Sequence, residues 1–345
     1  MQIERRYKVG FESEWDLAAF FDAVKRATCV ALVAHTNADG DAVGSLCGMA
    51  AILSANTTAR IIPMLPDGVP DDLAWLPGSS LILNGHTDNS QCLQAIGEAD
   101  VVIGLDISGW SRTGSLEQPL RHTRARKLLI DHHENPESDA FDVVISEPEA
   151  SSTCELVYWV MREYAGPDAI GTDAATALFT GICTDTGTFS YSNDRQSVYL
   201  ATADLLAHGI DPMHINRMIK NVFTTVRMQF FGFAIAHRLK VYEQRKVALM
   251  VLTADDMNQA GVSSHELTGL INEVMRLRNI DCAILVREEE GHVRLSLRSK
   301  ELYDVNRLAA DLFGGGGHRR AAGATSTLSL PDTVKKIKQT LALED

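Results

Sequence analysis

Four short clusters of aspartate and histidine carry the chemistry of this sequence. The first is His35-Thr-Asn-Ala-Asp39-Gly-Asp41, and the second is Asp106 at the end of Val-Val-Ile-Gly-Leu. The third is Asp131-His132-His133 after Lys-Leu-Leu-Ile, and the fourth is Asp185 in Gly-Ile-Cys-Thr-Asp-Thr-Gly-Thr. Carboxylates brought within a few ångströms of one another repel and raise each other's pKa, so a cluster of this kind calls for counter-ions. Two divalent metal ions would neutralise Asp39, Asp41, Asp106 and Asp185 almost one for one. Imidazole and carboxylate donors without thiolate suit manganese, iron or zinc better than calcium, and oxygen-rich octahedral shells favour manganese or magnesium; manganese (Mn2+) is the expectation. Two such ions roughly 3.5–4 Å apart generate hydroxide near neutral pH and clamp the attacking and leaving oxygens of an in-line phosphoryl displacement.

Taken singly, each of these residues has an ordinary explanation. An aspartate at a strand end is more often a helix cap or a turn former, and lone histidines such as His86 or His122 read as surface or core residues. The joint occurrence of four such clusters, three of them at the ends of apolar strands, is hard to obtain from caps alone. A second signal is Phe313-Gly-Gly-Gly-Gly-His318-Arg319-Arg320-Ala-Ala-Gly323. Its glycines allow positive φ and a close approach of backbone N–H groups to an anion, and His318 with its arginines adds charge-assisted hydrogen bonds. Upstream, strand alternation puts Arg294, Ser296, Arg298 and Lys300 on one face. A flexible connector and a solvated strand face are the plainer alternatives.

The elements that must position these residues read as an α/β fold. Apolar runs at Cys29–Ala34, Arg60–Met64, Val101–Leu105 and Lys127–Ile130 alternate with helical patterns at Ala42–Ser54, Cys154–Tyr164, Thr172–Thr184 and Ser197–Ala207. That alternation is the signature of βαβ units and a mainly parallel sheet, whose ligands bind at the carboxyl ends of strands. A catalytic domain over residues 1–210 is expected, then a helical linker over 211–239, then a smaller α/β domain over 240–345, with the active site in the cleft between the two domains. The later domain offers strands at Val247–Thr253, Cys282–Arg287 and His292–Arg298, helices at His265–Met275 and Val305–Phe313, and a loop at Gly314–Gly317. At 345 residues two such domains fit, each with its own core.

Composition narrows the class of function. Hydrophobic residues make up 45% and charged residues 22%, as in ordinary globular chains. The net charge of -13 argues against a protein that spreads cationic contacts along a long nucleic acid. Met1–Trp15 has no apolar core of an export signal, and no apolar run approaches a membrane span. Six scattered cysteines without a C-x-x-C pair read as reduced thiols in the cytoplasm.

Together these residues resemble the DHH phosphoesterase superfamily, named for the triplet seen here as Asp131-His132-His133. More narrowly, they are similar to its branch with a DHH-associated C-terminal domain that includes the NrnA-like nanoRNases and pAp phosphatases. The resemblance runs from Val30 to Ala324 and includes Gly104-Leu-Asp106, Ser152-Thr-Cys-Glu155-Leu and Gly181-Ile-Cys-Thr-Asp185-Thr-Gly. It implies that His35, Asp39 and Asp106 hold one ion and that Asp41, Asp106, His132 and Asp185 hold the other, with Asp106 bridging. It further implies that His133 faces the scissile phosphate, that Asp131 orients the histidines, and that Arg112 lies near the substrate. Ser296, Arg298, Gly316, Gly317 and His318 are implied to bind phosphate, sugar or base. One departure is Ala38, where the family often has proline, and a change in turn rigidity is all it implies.

The activity implied is metal-dependent hydrolysis of short RNA or DNA oligonucleotides, linear dinucleotides such as pApA, or pAp, yielding mononucleotides. No membrane partner is expected, and a homodimer is compatible with the sequence. An inorganic pyrophosphatase or polyphosphatase is the enzymatic rival, set back by the glycine-rich segment, because those enzymes resemble a different C-terminal domain. RecJ-like exonucleases bring an additional nucleic-acid-binding domain, and membrane-bound cyclic-dinucleotide phosphodiesterases bring further segments; this chain is expected to have neither. A non-catalytic nucleotide or RNA binder is disfavoured by the full set of candidate ligands.

Overall fold

The computed structural model describes residues 15–190, 195–220 and 223–344, the side chains of His265 and His318 excepted. Residues 1–14, on which the expectation about export rests, lie outside the described residues. The chain divides into two compact units, the first ending at Val222 and the second beginning at Phe223. The helical stretch expected over 211–239 is shared between them, one helix falling on each side of the division.

In the first unit the order is α1 (Leu17–Arg26), β1 (Cys29–Val33), α2 (Gly40–Asn56), β2 (Arg60–Leu65), β3 (Leu83–Asn84), α3 (Asn89–Glu98) and β4 (Val101–Leu105). There follow α4 (Glu117–His122), β5 (Arg126–Asp131), β6 (Val143–Ser146), α5 (Thr153–Ala165), α6 (Thr172–Asp185), α7 (Gln196–Ala207) and α8 (Pro212–Lys220). The strands make one sheet in the order β3-β2-β1-β4-β5-β6, parallel throughout. A parallel sheet covered on both faces needs strands that are apolar without alternation. Cys-Val-Ala-Leu-Val and Val-Val-Ile-Gly-Leu are of that kind, and every residue of β1 and β4 is buried. One core packs α1, α2, α5 and α6 against the sheet, and a second packs α3 and α4 against its other face. Chain order reverses between β1 and β4, which makes their carboxyl ends the place where a crevice opens.

Helix α2 meets α6 unusually closely, through glycines spaced by four. A Cβ on Gly44 would lie 2.6 Å from the Ala177 carbonyl oxygen, and one on Gly40 would lie 2.4 Å from Thr184 Oγ1. The same stripe puts Gly48 against Leu178. The two helices therefore run antiparallel, and the start of α2 lies beside the end of α6. Asp41 and Asp185 are brought together in this way.

The second unit contains α9 (Thr225–His237), β7 (Leu239–Tyr242), β8 (Val247–Leu252), α10 (Ala254–Ala260), α11 (Leu270–Met275), β9 (Cys282–Glu289) and β10 (His292–Ser299). It ends with α12 (Val305–Phe313), β11 (Gly316–His318), β12 (Ala321–Ser326) and α13 (Leu330–Leu341). Its sheet is mixed, ordered β11-β12-β10-β9-β8-β7, with β8 and β9 parallel and the other pairs antiparallel. Helices α12 and α13 cover one face and α9, α10 and α11 cover the other.

Two expectations are corrected here. The loop expected over Gly314–Gly317 gives way at Gly316 to strand β11, which pairs with β12. Bare backbone makes the approach feasible, since a Cβ on Gly317, at φ +146°, would lie 2.5 Å from the Ala321 carbonyl oxygen. The helix expected over His265–Met275 is broken, because Gly269 adopts φ +87° and separates a short 3-10 turn from α11. Among the described residues no helix is long and apolar enough to cross a membrane. All six cysteines are buried free thiols.

Candidate active site

Strand register lines up the donors of the first unit. Val33 pairs with Gly104 and Leu105 with Ile130, so His35, Asp106 and Asp131 leave the sheet at one edge. Asp106 turns there through a left-handed φ of +61°, tied by its N–H to the Ile130 carbonyl. Asp39 is the N-cap of α2, its Oδ1 accepting from the N–H groups of Asp41 and Ala42 at 3.0 and 3.1 Å. The cap and metal-ligand readings of Asp39 are therefore compatible, since one oxygen satisfies both N–H groups.

Among the described residues three groups of donors form, each with ligand atoms within 4.8 Å of one another: His35, Asp39 and Asp106; Asp41, His132 and Asp185; and Asp106, His132 and His133. His35 Nε2 lies 3.3 Å from Asp106 Oδ2, and His132 Nε2 lies 3.4 Å from Asp185 Oδ2 and 3.6 Å from Asp106 Oδ1. Asp106 and His132 each belong to two of the groups and so link the three into one cluster.

Electrostatics shows the strain of packing these groups together. Burial, and then the Asp106 and Asp185 carboxylates, push the Asp41 pKa well above the usual carboxylate range. Burial with its acidic neighbours, against the pull of His132, lifts Asp185 to about 7. Burial disfavours a charged His132, yet the carboxylates of Asp185, Asp106 and Asp41 outweigh it and raise its pKa to about 9. Burial likewise opposes charge on Asp106, but His35, His132 and His133 prevail and hold its pKa below the usual value. The cluster draws in positive charge wherever it can.

The donor set fits divalent cations. His35 Nδ1 faces the Thr36 carbonyl oxygen at 2.7 Å, which assigns the N–H to that side and turns Nε2 towards Asp106. Nε2 is buried and, though 3.3 Å from Asp106 Oδ2, makes no hydrogen bond of good geometry, an arrangement that would suit a metal ligand. His35, Asp39 and Asp106 would hold one ion, and Asp41, Asp106, His132 and Asp185 the other. Bound there, the ions would activate water and draw charge from the phosphoryl oxygens.

His133 is held by a chain of polar contacts. Asp131 Oδ1 accepts from His133 Nδ1 at 2.8 Å and from its backbone N–H at 3.3 Å. Arg112 Nη1 donates to His133 Nε2 at 2.9 Å. Asp131 and Arg112 thus hold the ring from its two nitrogens and put a guanidinium and an imidazole side by side at the rim. The guanidinium, with further N–H donors, suits the oxygens of a phosphate.

Sequence reasoning gave no role to the start of α5. Asp41 Oδ2 accepts from Thr153 N–H at 2.7 Å and Asp41 Oδ1 from Cys154 N–H at 2.8 Å, while the Thr153 hydroxyl donates to Asp106 Oδ1 at 3.0 Å. The available signal was a Ser-x-x-Glu pattern, Ser152 to Glu155, opening an apolar helix; Ser152 Oγ indeed accepts from Glu155 N–H.

In the second unit, cross-strand register gathers most of the expected substrate-binding positions. Ser296 pairs with Gly323, which pairs with Gly316, and Arg298 pairs with Ala321, which pairs with His318. These two rows share one face of the sheet. Gly317 pairs with Ala322 on the alternate face, so it could offer only backbone to that group. Arg298 Nη1 donates to the Leu297 carbonyl at 2.9 Å. The side chain of His318 lies outside the described residues.

The chain is similar to known proteins over most of its length. The profile of the DHH family, N-terminal domain, matches residues 29–182, and that of the DHHA1 domain matches residues 235–343. The bifunctional oligoribonuclease and PAP phosphatase NrnA of Bacillus subtilis (strain 168) is 25% identical over 296 residues, covering 84% of this chain and 87% of that protein. A crystal structure from Bacteroides fragilis, described as an exopolyphosphatase-related protein, is 32% identical with a TM-score of 0.91, over 94% of this chain and 95% of that one. RecJ of Thermus thermophilus, solved in complex with Mn2+, shares the fold at 14% identity and a TM-score of 0.52, over 98% of this chain and 56% of that one. The chain belongs to the DHH family of phosphoesterases, with a DHHA1 domain as its second unit.

Proposed function

We propose that this phosphoesterase uses two divalent ions, manganese by preference, to hydrolyse short oligonucleotides, linear dinucleotides and pAp to mononucleotides. The observation that carries the reading is the convergence of His35, Asp39, Asp41, Asp106, His132 and Asp185 from the ends of separate elements into overlapping donor groups. Arg112 binds the scissile phosphate beside that cluster, His133 faces it, and Asp131 orients the His133 ring. Ser296, Arg298, Gly316, Gly317 and His318 hold phosphate, sugar or base. The similarity to NrnA supports nucleotide substrates, since that protein is named an oligoribonuclease and PAP phosphatase.

A second reading has its own observation: the Bacteroides fragilis relative is described as exopolyphosphatase-related. One panel separates the two. Purified protein with Mn2+ is given pApA, pAp, pyrophosphate and polyphosphate, with EDTA and Asp106→Ala as controls. Cleavage of pApA or pAp that EDTA abolishes and Mn2+ restores is the expected result. Turnover confined to pyrophosphate or polyphosphate sinks the nucleotide reading, and full activity in EDTA or in Asp106→Ala sinks the two-metal reading.

A further inference from the structure

The first turn of α5 touches two candidate metal ligands through one residue. Thr153 gives its backbone N–H to Asp41 Oδ2 at 2.7 Å and its hydroxyl to Asp106 Oδ1 at 3.0 Å. Thr153 is 0% exposed, Asp41 1% and Asp106 2%, so no water competes for these bonds. Asp106 Oδ1 also lies 3.4 Å from His133 Nδ1 and 3.6 Å from His132 Nε2, whereas its Oδ2 lies 3.3 Å from His35 Nε2. The two oxygens thus serve different donor groups, and rotation about the terminal torsion decides which serves which.

An aspartate does not fix that torsion itself, because a terminal sp3–sp2 rotation is broad and roughly two-fold. A threonine at the start of a helix is a suitable brace. Its branched side chain is stiff at χ1, and its hydroxyl is a donor that adds no charge to compete with a cation. The base of the brace is itself held, since Ser152 Oγ caps α5 by accepting from Glu155 N–H and Glu155 Oε2 accepts from Ser151 N–H.

We infer that Thr153 is a positioning residue of the metal centre, its hydroxyl setting the rotation of the Asp106 carboxylate while its N–H holds Asp41. The inference rests on the two-metal reading above and adds a residue that reaches the ions only through their ligands. Orientation by such an outer contact contributes about ten- to a hundredfold to metal affinity.

The test is calorimetric titration of metal-free protein with Mn2+, for the wild type, Thr153→Val and Thr153→Ser, with the unfolding midpoint of each metal-free chain. Valine keeps the shape and the backbone N–H and deletes the hydroxyl, whereas serine keeps the hydroxyl. Thr153→Val binds Mn2+ about ten- to a hundredfold more weakly, and Thr153→Ser stays within about threefold of wild type. At saturating Mn2+ the valine variant loses kcat rather than raising KM for pApA. Wild-type affinity in Thr153→Val, or an equal loss in Thr153→Ser, overturns the inference. Should the valine variant not fold, the serine variant decides by itself: near-wild-type affinity supports the role and a tenfold loss overturns it. Absence of saturable Mn2+ binding by the wild type overturns the two-metal reading and the inference with it.

Discussion

At the scale of single residues, the site separates groups that would hold cations from groups that prepare their neighbours, and Asp131 is of the second kind. It is fully buried, its Oδ1 accepts from His133 twice, and its Oδ2 has no hydrogen-bond partner. Asp131→Asn presents either an amide N–H or a carbonyl to His133 Nδ1, and it removes the charge that favours the Nδ1–H tautomer. We expect a loss in kcat/KM of about ten- to a hundredfold with Mn2+ occupancy unchanged. Metal analysis beside steady-state kinetics checks this, and loss of Mn2+ from the variant would show Asp131 to be a ligand rather than a support. The candidate donors were legible in the sequence because each lies in a short polar turn beside an apolar strand or, for Asp185, at the end of an apolar helix, a local pattern. Thr153 was not, because its bonds to Asp41 and Asp106 join positions 112 and 47 residues away. A local window shows it only inside the Ser152-Thr-Cys-Glu155-Leu motif, a helix-start pattern that names no partner.

At the scale of elements, the contact between α2 and α6 decides whether Asp41 and Asp185 share an ion. The Gly40-x-x-x-Gly44-x-x-x-Gly48 spacing stands in the sequence. Its meaning becomes clear only with the partner helix, since small residues on a buried helix also fit a sheet. Gly44→Ala forces a methyl against the Ala177 carbonyl oxygen, 2.6 Å from the ideal Cβ position. Overpacking of this kind costs roughly 1–3 kcal/mol. We expect a lower unfolding midpoint and weaker Mn2+ binding, because the separation of α2 and α6 sets the distance between their acidic ends; an unchanged Mn2+ affinity would show that the spacing is not critical. In the second unit, Asp256 joins two elements. Its oxygens accept from Arg238 Nη2 and Nε at 2.6 and 2.8 Å, and its Oδ2 completes a capping box with Thr253 on α10. The Arg238 hydrogen bonds lead in lowering its pKa, against burial, from 3.8 to about 2. A carboxylate whose pKa is depressed by folding stabilises the fold above its unfolded pKa and loses that contribution as pH falls through the folded one. The difference in unfolding midpoint between wild type and Asp256→Asn is therefore full at neutral pH and shrinks between about pH 4 and 2. A difference that stays constant over that range would remove the charge from the explanation.

At the scale of the whole molecule, charge divides as sharply as the fold. Of 32 Lys and Arg and 45 Asp and Glu, 17 and 15 fall from Phe223 onward, leaving 15 and 30 before it, so the net charges are +2 and -15. The acidic unit is the one whose carboxylates would be offset by cations, and the other has the positive balance suited to an anionic substrate. The alternation that put Ser296 and Arg298 on one face was legible, because β10 alternates buried and more exposed positions throughout its length. The pairing of Gly316 with Gly323 beside them was not, since a run of four glycines reads equally as loop or strand. If the second unit captures substrate while the first holds metal, the two functions come apart on mutation. Arg298→Ala then leaves two Mn2+ bound per chain while kcat/KM for pApA falls about ten- to a hundredfold, the effect of one charge-assisted hydrogen bond of roughly 1.5–3 kcal/mol. On bis-p-nitrophenyl phosphate, which has neither base nor sugar to hold, the same variant loses much less. Equal losses on both substrates would place Arg298 on the reacting phosphate itself, and loss of Mn2+ would mean that the second unit supports the metal centre instead of the substrate.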